Sequence, residues 1–359
     1  MRKVEIGLGD RSYEVWVGDQ LFGPAAHALK RVSPSKAFVF ADRRVLKQAH
    51  SLVAALMQEG WQVTLFALTA NEGFKDFAKI FPYYGKLLKA GADRESVLFA
   101  VGGGVAGDAV GFLAGTFLRG IRWVGVPTTL LAQVDSSVGG KTGINHPFGK
   151  NLIGVFHQPA LVLCELGTLG TLPRRELVSG LGEIIKYALI GDRAFFRFLT
   201  EQWRGILSRK SKLLVDAIAE CVERKARVVE RDELDRKGIR DALNFGHTVG
   251  HALESVTRYK RYRHGEAIVH GMRVAIELSV LKGHLSRELA REVDGFLKKI
   301  PVPAYPRGLA PKALLPFIRR DKKKTSGRVR FVLLKDFGKI TLDSSVTDDE
   351  LLNALEVIR

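Results

Sequence analysis

Two histidines and a glutamate stand at helical spacing in the segment from Asn244 to Glu254. If this segment is helical, His247, His251 and Glu254 lie on one face, because positions three and four residues apart coincide there. Two imidazoles at that spacing can bind one metal ion, as they do in zinc peptidases. His264 follows after a short loop. The cluster predicts a metal or catalytic site; ordinary hydrogen-bonded histidines on a polar helix face are the alternative.

A carboxylate that could join such a site occurs at Glu183, three residues before Lys186 on a predicted helix. The two side chains could form a surface ion pair. Their apolar neighbours favour burial instead, and a buried carboxylate needs a partner such as a metal ion. One glutamate with two histidines is a common ligand set of catalytic zinc, and it leaves a coordination position open.

Glycines are concentrated between Gly102 and Gly154. The run from Gly102 to Asp108 follows an apolar strand and opens a helix, which is the arrangement of a dinucleotide pyrophosphate loop. Tight packing of the helix on the strand is the alternative explanation. The next strand ends at Thr128 and Thr129 without an acidic residue that could bind a ribose. The segment therefore differs from the ordinary dinucleotide-binding fingerprint.

Two lysines in glycine-rich surroundings, Lys141 and Lys150, follow this run. We expect flexible loops here, whose amides and ammonium groups can bind phosphate. Neither lysine lies in the GxxxxGK[ST] pattern, so a nucleotide triphosphatase is not supported. Solvated loop lysines are the alternative.

The elements that must position these residues change character near Pro173. From 1 to 172, short β-branched runs alternate with helical patterns, which predicts an α/β domain with a mostly parallel, Rossmann-like sheet. From 173 to 359, apolar residues recur every three to four positions, which predicts a mainly α-helical domain. The predicted strands are Lys3–Gly7, Tyr13–Val17, Ala37–Phe40, Gln62–Phe66, Ser96–Val101, Arg122–Val126, Leu161–Cys164 and Arg328–Leu334. The predicted helices are Val45–Glu59, Lys75–Ala90, Arg174–Ile190, Ala194–Trp203, Ser208–Arg231, Arg240–Val256, Glu266–Lys282, Arg287–Lys299 and Asp348–Ile358.

Composition limits the class of protein. With 359 residues, 46% hydrophobic and 26% charged, the chain is typical of a soluble two-domain enzyme. The first residues lack an apolar core, so we expect no signal peptide. The apolar stretch 97–117 contains six glycines and Asp108, which favours strand–loop–helix over a membrane span. Cys164 and Cys221 are far apart and predict reduced thiols in the cytoplasm.

The formal net charge of +18 fits an anionic small-molecule substrate, a nucleic-acid partner or simply a basic proteome. No zinc finger, RNP-type strand or basic heptad occurs, so a nucleic-acid partner is not expected. The basic runs are typical of solvated surfaces.

Taken together, the motifs occur in the order and spacing found in the sugar-phosphate cyclases, and the chain most closely resembles the 3-dehydroquinate synthase family. The resemblance rests on residues 102–108, 127–129, 135–142, 149–154, 182–187, 244–254 and 264–267. It implies an N-terminal domain that binds NAD, a helical C-terminal domain that binds zinc or cobalt, and an active site in the cleft between them. It also implies a cytoplasmic homodimer without a membrane partner.

The family's reaction converts 3-deoxy-D-arabino-heptulosonate 7-phosphate to 3-dehydroquinate and phosphate in the shikimate pathway of aromatic amino acid biosynthesis. The resemblance implies transient oxidation by NAD, phosphate elimination, re-reduction and aldol closure. Such chemistry needs a Lewis acid at the hydroxyl that is oxidised and cations that bind the carboxylate and the phosphate.

The resemblance also assigns roles to individual residues. The implied metal ligands are Glu183, His247 and His264, so that His251, which the helical spacing paired with His247, takes a substrate or proton-transfer role. The implied catalytic and substrate-binding residues are Lys141, His251, Asn151, Lys186, Arg240, Asn244, Asp135, Lys150, Lys225 and Arg119, with Lys322 as a further phosphate contact. The implied NAD-binding residues are Asp42, Glu72, Lys75, Gly103, Gly104, Val105, Gly107, Asp108, Thr128, Thr129, Lys141 and Lys150.

The chain departs from the family pattern at three places. Asn71 stands where a glycine is common, Arg44 stands where an asparagine is expected, and Arg236 stands where a glutamate is common. Asp235 or Glu233 could supply the missing carboxylate, since the segment before Arg240 is one residue longer. Another sugar-phosphate cyclase is therefore an alternative function. A metal-dependent polyol dehydrogenase, which resembles the same two-domain plan, is a further alternative.

Overall fold

The computed structural model describes residues 1–30, 36–319, 324–325 and 328–359. The chain forms two compact units. Unit 1 comprises Met1–Leu172 and Arg209–Leu234, and unit 2 comprises Pro173–Ser208 and Asp235–Arg359.

The regular elements are numbered in chain order. The strands are β1 Arg2–Ile6, β2 Tyr13–Gly18, β3 Lys36–Asp42, β4 Gln62–Leu68, β5 Val97–Gly102, β6 Arg122–Pro127, β7 Lys141–His146, β8 Gly149–Phe156, β9 Leu161–Glu165, β10 Lys324–Thr325, β11 Arg328–Val329, β12 Phe331–Asp336 and β13 Lys339–Asp343. The helices are α1 Phe22–Lys30, α2 Leu46–Gln58, α3 Phe77–Lys89, α4 Gly104–Thr116, α5 Arg174–Leu189, α6 Arg193–Leu207, α7 Ser211–Arg231, α8 His247–Val256, α9 His264–Leu281, α10 Arg287–Leu297, α11 Leu315–Arg319 and α12 Asp348–Leu355.

Unit 1 contains a seven-stranded sheet of order β1-β2-β9-β6-β5-β3-β4. Among the described strands of this sheet, only the β1–β2 pair is antiparallel, so the predicted mostly parallel α/β fold with an N-terminal hairpin is confirmed. Its strands read as continuous apolar runs because both faces are covered. In β3, Phe38 and Phe40 belong to a core cluster with residues of α3 and α4. Val39 and Ala41 belong to the cluster on the opposite face, with residues of α1 and α2.

The strand order reverses between β3 and β5, since β4 lies outside β3 and the chain then returns to its other side. In open α/β sheets, ligands bind at the carboxyl ends of the strands that flank such a reversal. Asp42 ends β3 and Gly102 ends β5. The topology therefore places the glycine run beside Asp42 at the expected ligand position.

Unit 2 is mainly helical, as predicted, and α9 lies at its centre. Apolar residues of α9 such as Val274 and Leu278 share a buried cluster with Leu333 of β12 and Leu351 of α12. The predicted single strand 328–334 is instead the short β11 followed by β12, which pairs antiparallel with β13.

The position of helix α7 differs from the predicted domain division at 172/173. Residues 209–234 belong to unit 1, although the sequence placed all of 173–359 in one helical domain. The helix buries Leu214, Ile218 and Val222, and Glu223 accepts a 2.7 Å hydrogen bond from Arg2 of β1. Helical periodicity shows that a face is apolar but not which unit covers it, so the sequence pattern could not reveal this return.

Two further elements differ from the predictions. The glycine-rich segment around Lys141 and Lys150 forms the antiparallel hairpin β7–β8 rather than flexible loops. The predicted helix 240–256 is a 3₁₀ turn over Ile239–Asn244 followed by α8, because Gly246 adopts φ +78° between them. The apolar stretch 97–117 is the predicted strand–loop–helix of β5 and α4. Among the described residues, no helix combines the length and the apolar character needed to span a membrane.

Candidate active site

Unit 2 brings the three implied metal ligands together. Glu183 is fully buried in α5. Its Oε1 lies 3.6 Å from His247 Nε2 at the start of α8 and 3.3 Å from His264 Nε2 at the start of α9. A carboxylate and two imidazole nitrogens thus converge from three helices, which is the donor set expected of a catalytic divalent metal site.

His247 presents the correct nitrogen for a ligand. Its Nδ1 lies 3.1 Å from the carbonyl oxygen of Phe245, so Nδ1 carries the proton and Nε2 faces Glu183 with a lone pair. Burial lowers the pKa of His247 well below its ordinary value, although the Glu183 carboxylate opposes this shift. The imidazole is therefore neutral at pH 7, which is the form that binds metals.

Glu254 positions His264. The Oε2 of Glu254 lies 3.2 Å from Nδ1 of His264, which leaves Nε2 directed at Glu183. Burial by itself would lower the pKa of His264, but hydrogen bonds to Glu183 and Glu254 outweigh it and raise the pKa to about 10. The ring is therefore protonated at pH 7 without a metal, and a metal ion would bind Nε2 in place of its proton. A carboxylate behind a ligating histidine is the usual outer support of a metal site. The sequence placed Glu254 on the histidine face without assigning it this role.

His251 completes a group of three imidazoles. Its ring centroid lies 5.3 Å from that of His247 and 5.7 Å from that of His264. One nitrogen from each of the three rings lies within 4.8 Å of the others, so together they could also hold a metal ion. The helical spacing of His247 and His251 is thus confirmed, and the geometry accommodates both the histidine pair and the set that includes Glu183.

Two glycines allow the helices that carry these ligands to approach closely. A Cβ added at Gly265 of α9 would lie 1.8 Å from the carbonyl oxygen of Ser179 in α5. A Cβ added at Gly182 would lie 2.4 Å from the carbonyl oxygen of Gly265. Glu183 and His264 therefore meet because the residue next to each is a glycine.

One cationic side chain contacts this cluster, and another precedes it in the sequence. Lys186 is 1% exposed and its Nζ lies 2.5 Å from Glu183 Oε2, so the alternative of a surface ion pair is wrong. Arg240 is buried in the 3₁₀ turn that Asn244 ends, three residues before His247.

In unit 1 the glycine run forms a close turn between β5 and α4. The carbonyl oxygen of Gly102 accepts a hydrogen bond from the Thr128 N–H at 2.9 Å. A Cβ at Gly103 would lie 3.1 Å from the Thr129 side chain, and one at Gly104 would lie 3.0 Å from Ser136 Oγ. Val105, Gly107 and Asp108 occupy the following turn of α4. A small cavity beside this turn is lined by Gly103, Gly104, Asp108, Ser136, Lys141 and Thr142, among others.

Lys75 connects the implied NAD residues to Asn151. It is buried, and its Nζ donates to Asp108 Oδ2 at 2.6 Å and also to Asn151 Oδ1. Asp42 accepts several hydrogen bonds from Arg44, including one from Nε to Oδ2 at 3.0 Å. Arg44, one of the departures from the family pattern, therefore neutralises the acidic side chain beside the glycine turn.

Asp135 and Lys225 form an ion pair in unit 1. The Nζ of Lys225 on α7 lies 2.8 Å from Asp135 Oδ1, which is carried by a π-helical turn over Ala132–Ser136. Lys141 and Lys150 are exposed on β7 and β8. Arg119 follows α4 with φ +70°. Lys322 lies outside the described residues.

The sequence comparisons agree with this arrangement. The family model described as "3-dehydroquinate synthase N-terminal" matches residues 65–179, and "3-dehydroquinate synthase C-terminal" matches residues 180–324. The chain is 39% identical over 358 residues to 3-dehydroquinate synthase of Thermodesulfovibrio yellowstonii, covering 99% of both chains. It is 41% identical to that of Pelobacter propionicus, covering 99% of this chain and 100% of the relative.

The chain belongs to the 3-dehydroquinate synthase family. Among solved structures, the fold is similar to a 2-deoxy-scyllo-inosose synthase complexed with carbaglucose-6-phosphate, NAD⁺ and Co²⁺. That likeness has a TM-score of 0.90 at 24% identity and covers 99% of both chains. The fold is also similar to 2-epi-5-epi-valiolone synthase of Streptomyces hygroscopicus with bound NAD⁺ and Zn²⁺, at a TM-score of 0.87, 26% identity and 98% coverage of both chains.

Proposed function

We propose that this chain is a carbon–oxygen lyase that converts 3-deoxy-D-arabino-heptulosonate 7-phosphate to 3-dehydroquinate and inorganic phosphate, with NAD and a divalent metal, zinc or cobalt, as cofactors. The observation that carries the proposal is the full-length similarity, near 40% identity, to enzymes of that name. The reaction leaves no net redox change, since the hydride taken from the substrate returns to it. A shikimate-pathway role follows from this activity.

The residues of unit 2 fit the metal. When bound, NAD⁺ supplies a reversible hydride acceptor and the metal supplies Lewis acidity at the hydroxyl oxygen. Glu183, His247 and His264 would hold the metal, because Glu183 contacts both imidazoles. His251 would then bind the substrate or move a proton at the hydroxyl that is oxidised. The buried ammonium of Lys186 would balance the Glu183 charge.

The residues of unit 1 fit the dinucleotide. The glycine turn would bind the pyrophosphate, since its backbone can be approached closely and opens a helix N-terminus. Val105, Gly107, Thr128 and Thr129 would line the same site, and Glu72, Lys75 and Asp108 would bind the nicotinamide half. Asp42 would bind the adenosine ribose with Arg44 beside it.

Substrate recognition would use cationic and amide side chains. The substrate carries a carboxylate and a phosphate, which the family resemblance matches to Lys141, Lys150 and Arg240. Asn151, Asn244, Arg119 and the Asp135–Lys225 pair would contact its hydroxyls or its phosphate. A polyol dehydrogenase would need none of these cations for an uncharged substrate, which favours the cyclase.

The decisive assay is inorganic phosphate release from the heptulosonate phosphate, with and without NAD⁺ and with and without a chelator. We expect release only when NAD⁺ and metal are both present, and no accumulation of NADH. Steady NADH production from glycerol would identify a polyol dehydrogenase instead. Release only from other sugar phosphates would identify another cyclase and would point to the Arg236 segment as its cause.

Lys141→Ala should lower the rate of phosphate release by about 100-fold or more, because it removes a cation that would stabilise charge on the reacting substrate. Its unfolding midpoint should stay unchanged, since the side chain is exposed. Lys47→Ala, an exposed lysine of α2, is the matched control and should keep full activity. Wild-type turnover in the Lys141 variant would refute its role.

We further propose a cytoplasmic homodimer. Two buried free cysteines, Cys164 and Cys221, suit a reducing compartment. Exposed apolar side chains line one face of α3, where Phe77, Phe81 and Leu88 are 51%, 60% and 58% exposed. Exposed apolar surface of this kind is typical of protein interfaces, and the proposed partner is a second copy of the chain.

Phe81→Glu tests the dimer. A buried charge would oppose association, so we expect the mass in sedimentation equilibrium to fall from two chains to one. Met57→Glu, which alters a single exposed apolar residue on α2, should leave the mass unchanged. A monomeric wild-type protein, or a dimeric Phe81 variant, would contradict the proposal. Cell fractionation tests the location.

A further inference from the structure

We propose that Asn145 is a positioning residue that fixes Asn151, Glu72 and the Lys75 segment relative to one another. This inference rests on the proposed function, in which Glu72 and Lys75 bind NAD and Asn151 contacts the substrate. Asn145 itself would touch neither molecule. Its side chain would act through the three groups that it connects.

The hairpin register leaves Asn145 outside the normal strand pairing. Ile144 pairs with Ile153, but His146 pairs with Gly149, so the register shifts at Asn145. The Asn145 N–H donates a hydrogen bond of 2.7 Å to the carbonyl oxygen of Lys75. A β-bulge of this kind redirects a residue toward a neighbouring segment, and here it ties the hairpin to the backbone of Lys75.

The Asn145 side chain uses both ends of its amide. Its Nδ2 donates to Glu72 Oε1 at 2.7 Å, and its Oδ1 accepts from the Asn151 N–H at 2.9 Å. An aspartate at this position could not donate to Glu72. An alanine could neither donate to Glu72 nor accept from the Asn151 N–H. The position therefore uses the donor and the acceptor that an asparagine side chain provides.

The Asn145 contact supports an uncommon backbone conformation at Asn151. Its φ of +55° lies in the left-handed region, which asparagine adopts more readily than most non-glycine residues but which few residues occupy. The Asn151 N–H donates to Asn145 Oδ1, which stabilises this conformation, and Asn151 Oδ1 in turn accepts from Lys75 Nζ. Lys75 also binds Asp108 at 2.6 Å. Asn145 thus supports the direct contact between Asn151 and Lys75 from both sides, through the Asn151 N–H and through the Lys75 carbonyl oxygen.

The first test is Asn145→Ala. We expect kcat for phosphate release to fall about tenfold or more, because a small displacement of contacting groups is costly in rate, and the Kd for NAD⁺ to rise severalfold. Metal content should be unchanged, since the metal ligands lie in unit 2. His146→Ala, which alters an exposed neighbour on the same hairpin, is the matched control and should behave as wild type.

A polarity swap separates positioning from a merely structural effect. Asn145→Asp places a carboxylate against Glu72 and should impair the enzyme more than Asn145→Ala. Adding Glu72→Gln restores the hydrogen bond with donor and acceptor exchanged, so the double variant should recover kcat relative to N145D alone. The single variant E72Q completes the double-mutant cycle, together with wild type, N145D and the double variant. Additive effects without recovery would overturn the proposal.

Hydrogen exchange makes the test independent of activity. In Asn145→Ala, the Asn151 amide should exchange at least about tenfold faster, because its hydrogen-bond acceptor is gone. If wild-type protein releases no phosphate, the proposed function fails while this measurement still tests Asn145. Unchanged exchange at Asn151, or a loss of kcat that merely follows a lower unfolding midpoint, would show that Asn145 does not position the site.

Discussion

The Glu254 carboxylate accepts a hydrogen bond from Nδ1 of His264 and thereby directs Nε2 toward Glu183. Without this acceptor the imidazole could rotate or adopt the other tautomer. His247 obtains the same support from the carbonyl oxygen of Phe245. Each proposed histidine ligand is thus oriented by a second group before any metal binds.

Glu254→Gln should therefore weaken metal binding by about 10- to 100-fold, because the outer partners of ligating histidines typically contribute that much. The affinity can be measured by competition with a chromogenic chelator. The control is Glu277→Gln, which alters another carboxylate of α9 that pairs with Arg287 at 2.8 Å. It should leave the affinity unchanged. Equal affinities in wild type and the Glu254 variant would contradict this role.

At the residue scale, the sequence predicts side-chain groupings that depend on spacing within one helix. It does not predict groupings that depend on how two strands pair. The helical spacing of His247 and His251 is enough to place their rings on one face. Asn145 gave no such signal, because its contacts with Glu72 and Asn151 arise from a register shift in a hairpin. The residue assignments carried over from the family resemblance, including His251 as a non-ligand, stay predictions.

At the element scale, the contact between α5 and α9 sets the distance between two proposed ligands. Gly265→Ala would drive a methyl group into the Ser179 carbonyl and push the helices apart. We expect it to destabilise the fold by about 1–3 kcal/mol and to reduce bound metal, measured by thermal unfolding and by metal analysis.

The matched control for this substitution is Gly295→Ala in α10, where an added Cβ meets nothing within 4 Å. Since alanine favours the helix, this change should stabilise by about 0.5–1 kcal/mol. A Gly265 variant with full metal content and an unchanged unfolding midpoint would mean that the helices can separate without disturbing Glu183 and His264.

The same use of glycine explains why the sequence predicts flexible loops where the structure has the β7–β8 hairpin. A Cβ at Gly143 would lie 2.7 Å from the carbonyl oxygen of Ile153, and one at Gly154 would lie 2.4 Å from that of Thr142. These glycines permit close approach of two strands rather than mobility. A glycine-rich sequence does not distinguish the two, whereas the apolar runs of β3 and β5 could be read directly as buried strands.

At the scale of the whole molecule, stability should depend on pH through His270 of α9. Burial lowers the pKa of His270 below its ordinary value, and its Nε2 lies 2.8 Å from the carbonyl oxygen of Pro303. The unfolded chain binds a proton near pH 6.5, whereas the folded chain does not. The contribution of His270 is therefore fully present above about pH 6.5 and is lost as the pH falls below that value.

His270→Gln removes this titration while keeping an amide donor for Pro303. The free energy of unfolding in urea should then fall less between pH 7.5 and pH 5.5 than it does in wild type. His50→Gln, at an exposed position, should keep the wild-type difference. Identical pH dependence in wild type and the His270 variant would show that the ring is protonated without cost in the folded state.

Helix α7 packs on β1 and β2 of unit 1. Unit 1 therefore cannot complete its folding when Leu172 leaves the ribosome. The nascent chain must also make α5 and α6 before Ser211–Arg231 is available to return. Until then the apolar side of the N-terminal hairpin is exposed to solvent, where it can bind chaperones or aggregate. A gene cut at the 179/180 border between the two family models would therefore encode an N-terminal fragment that lacks part of its own core.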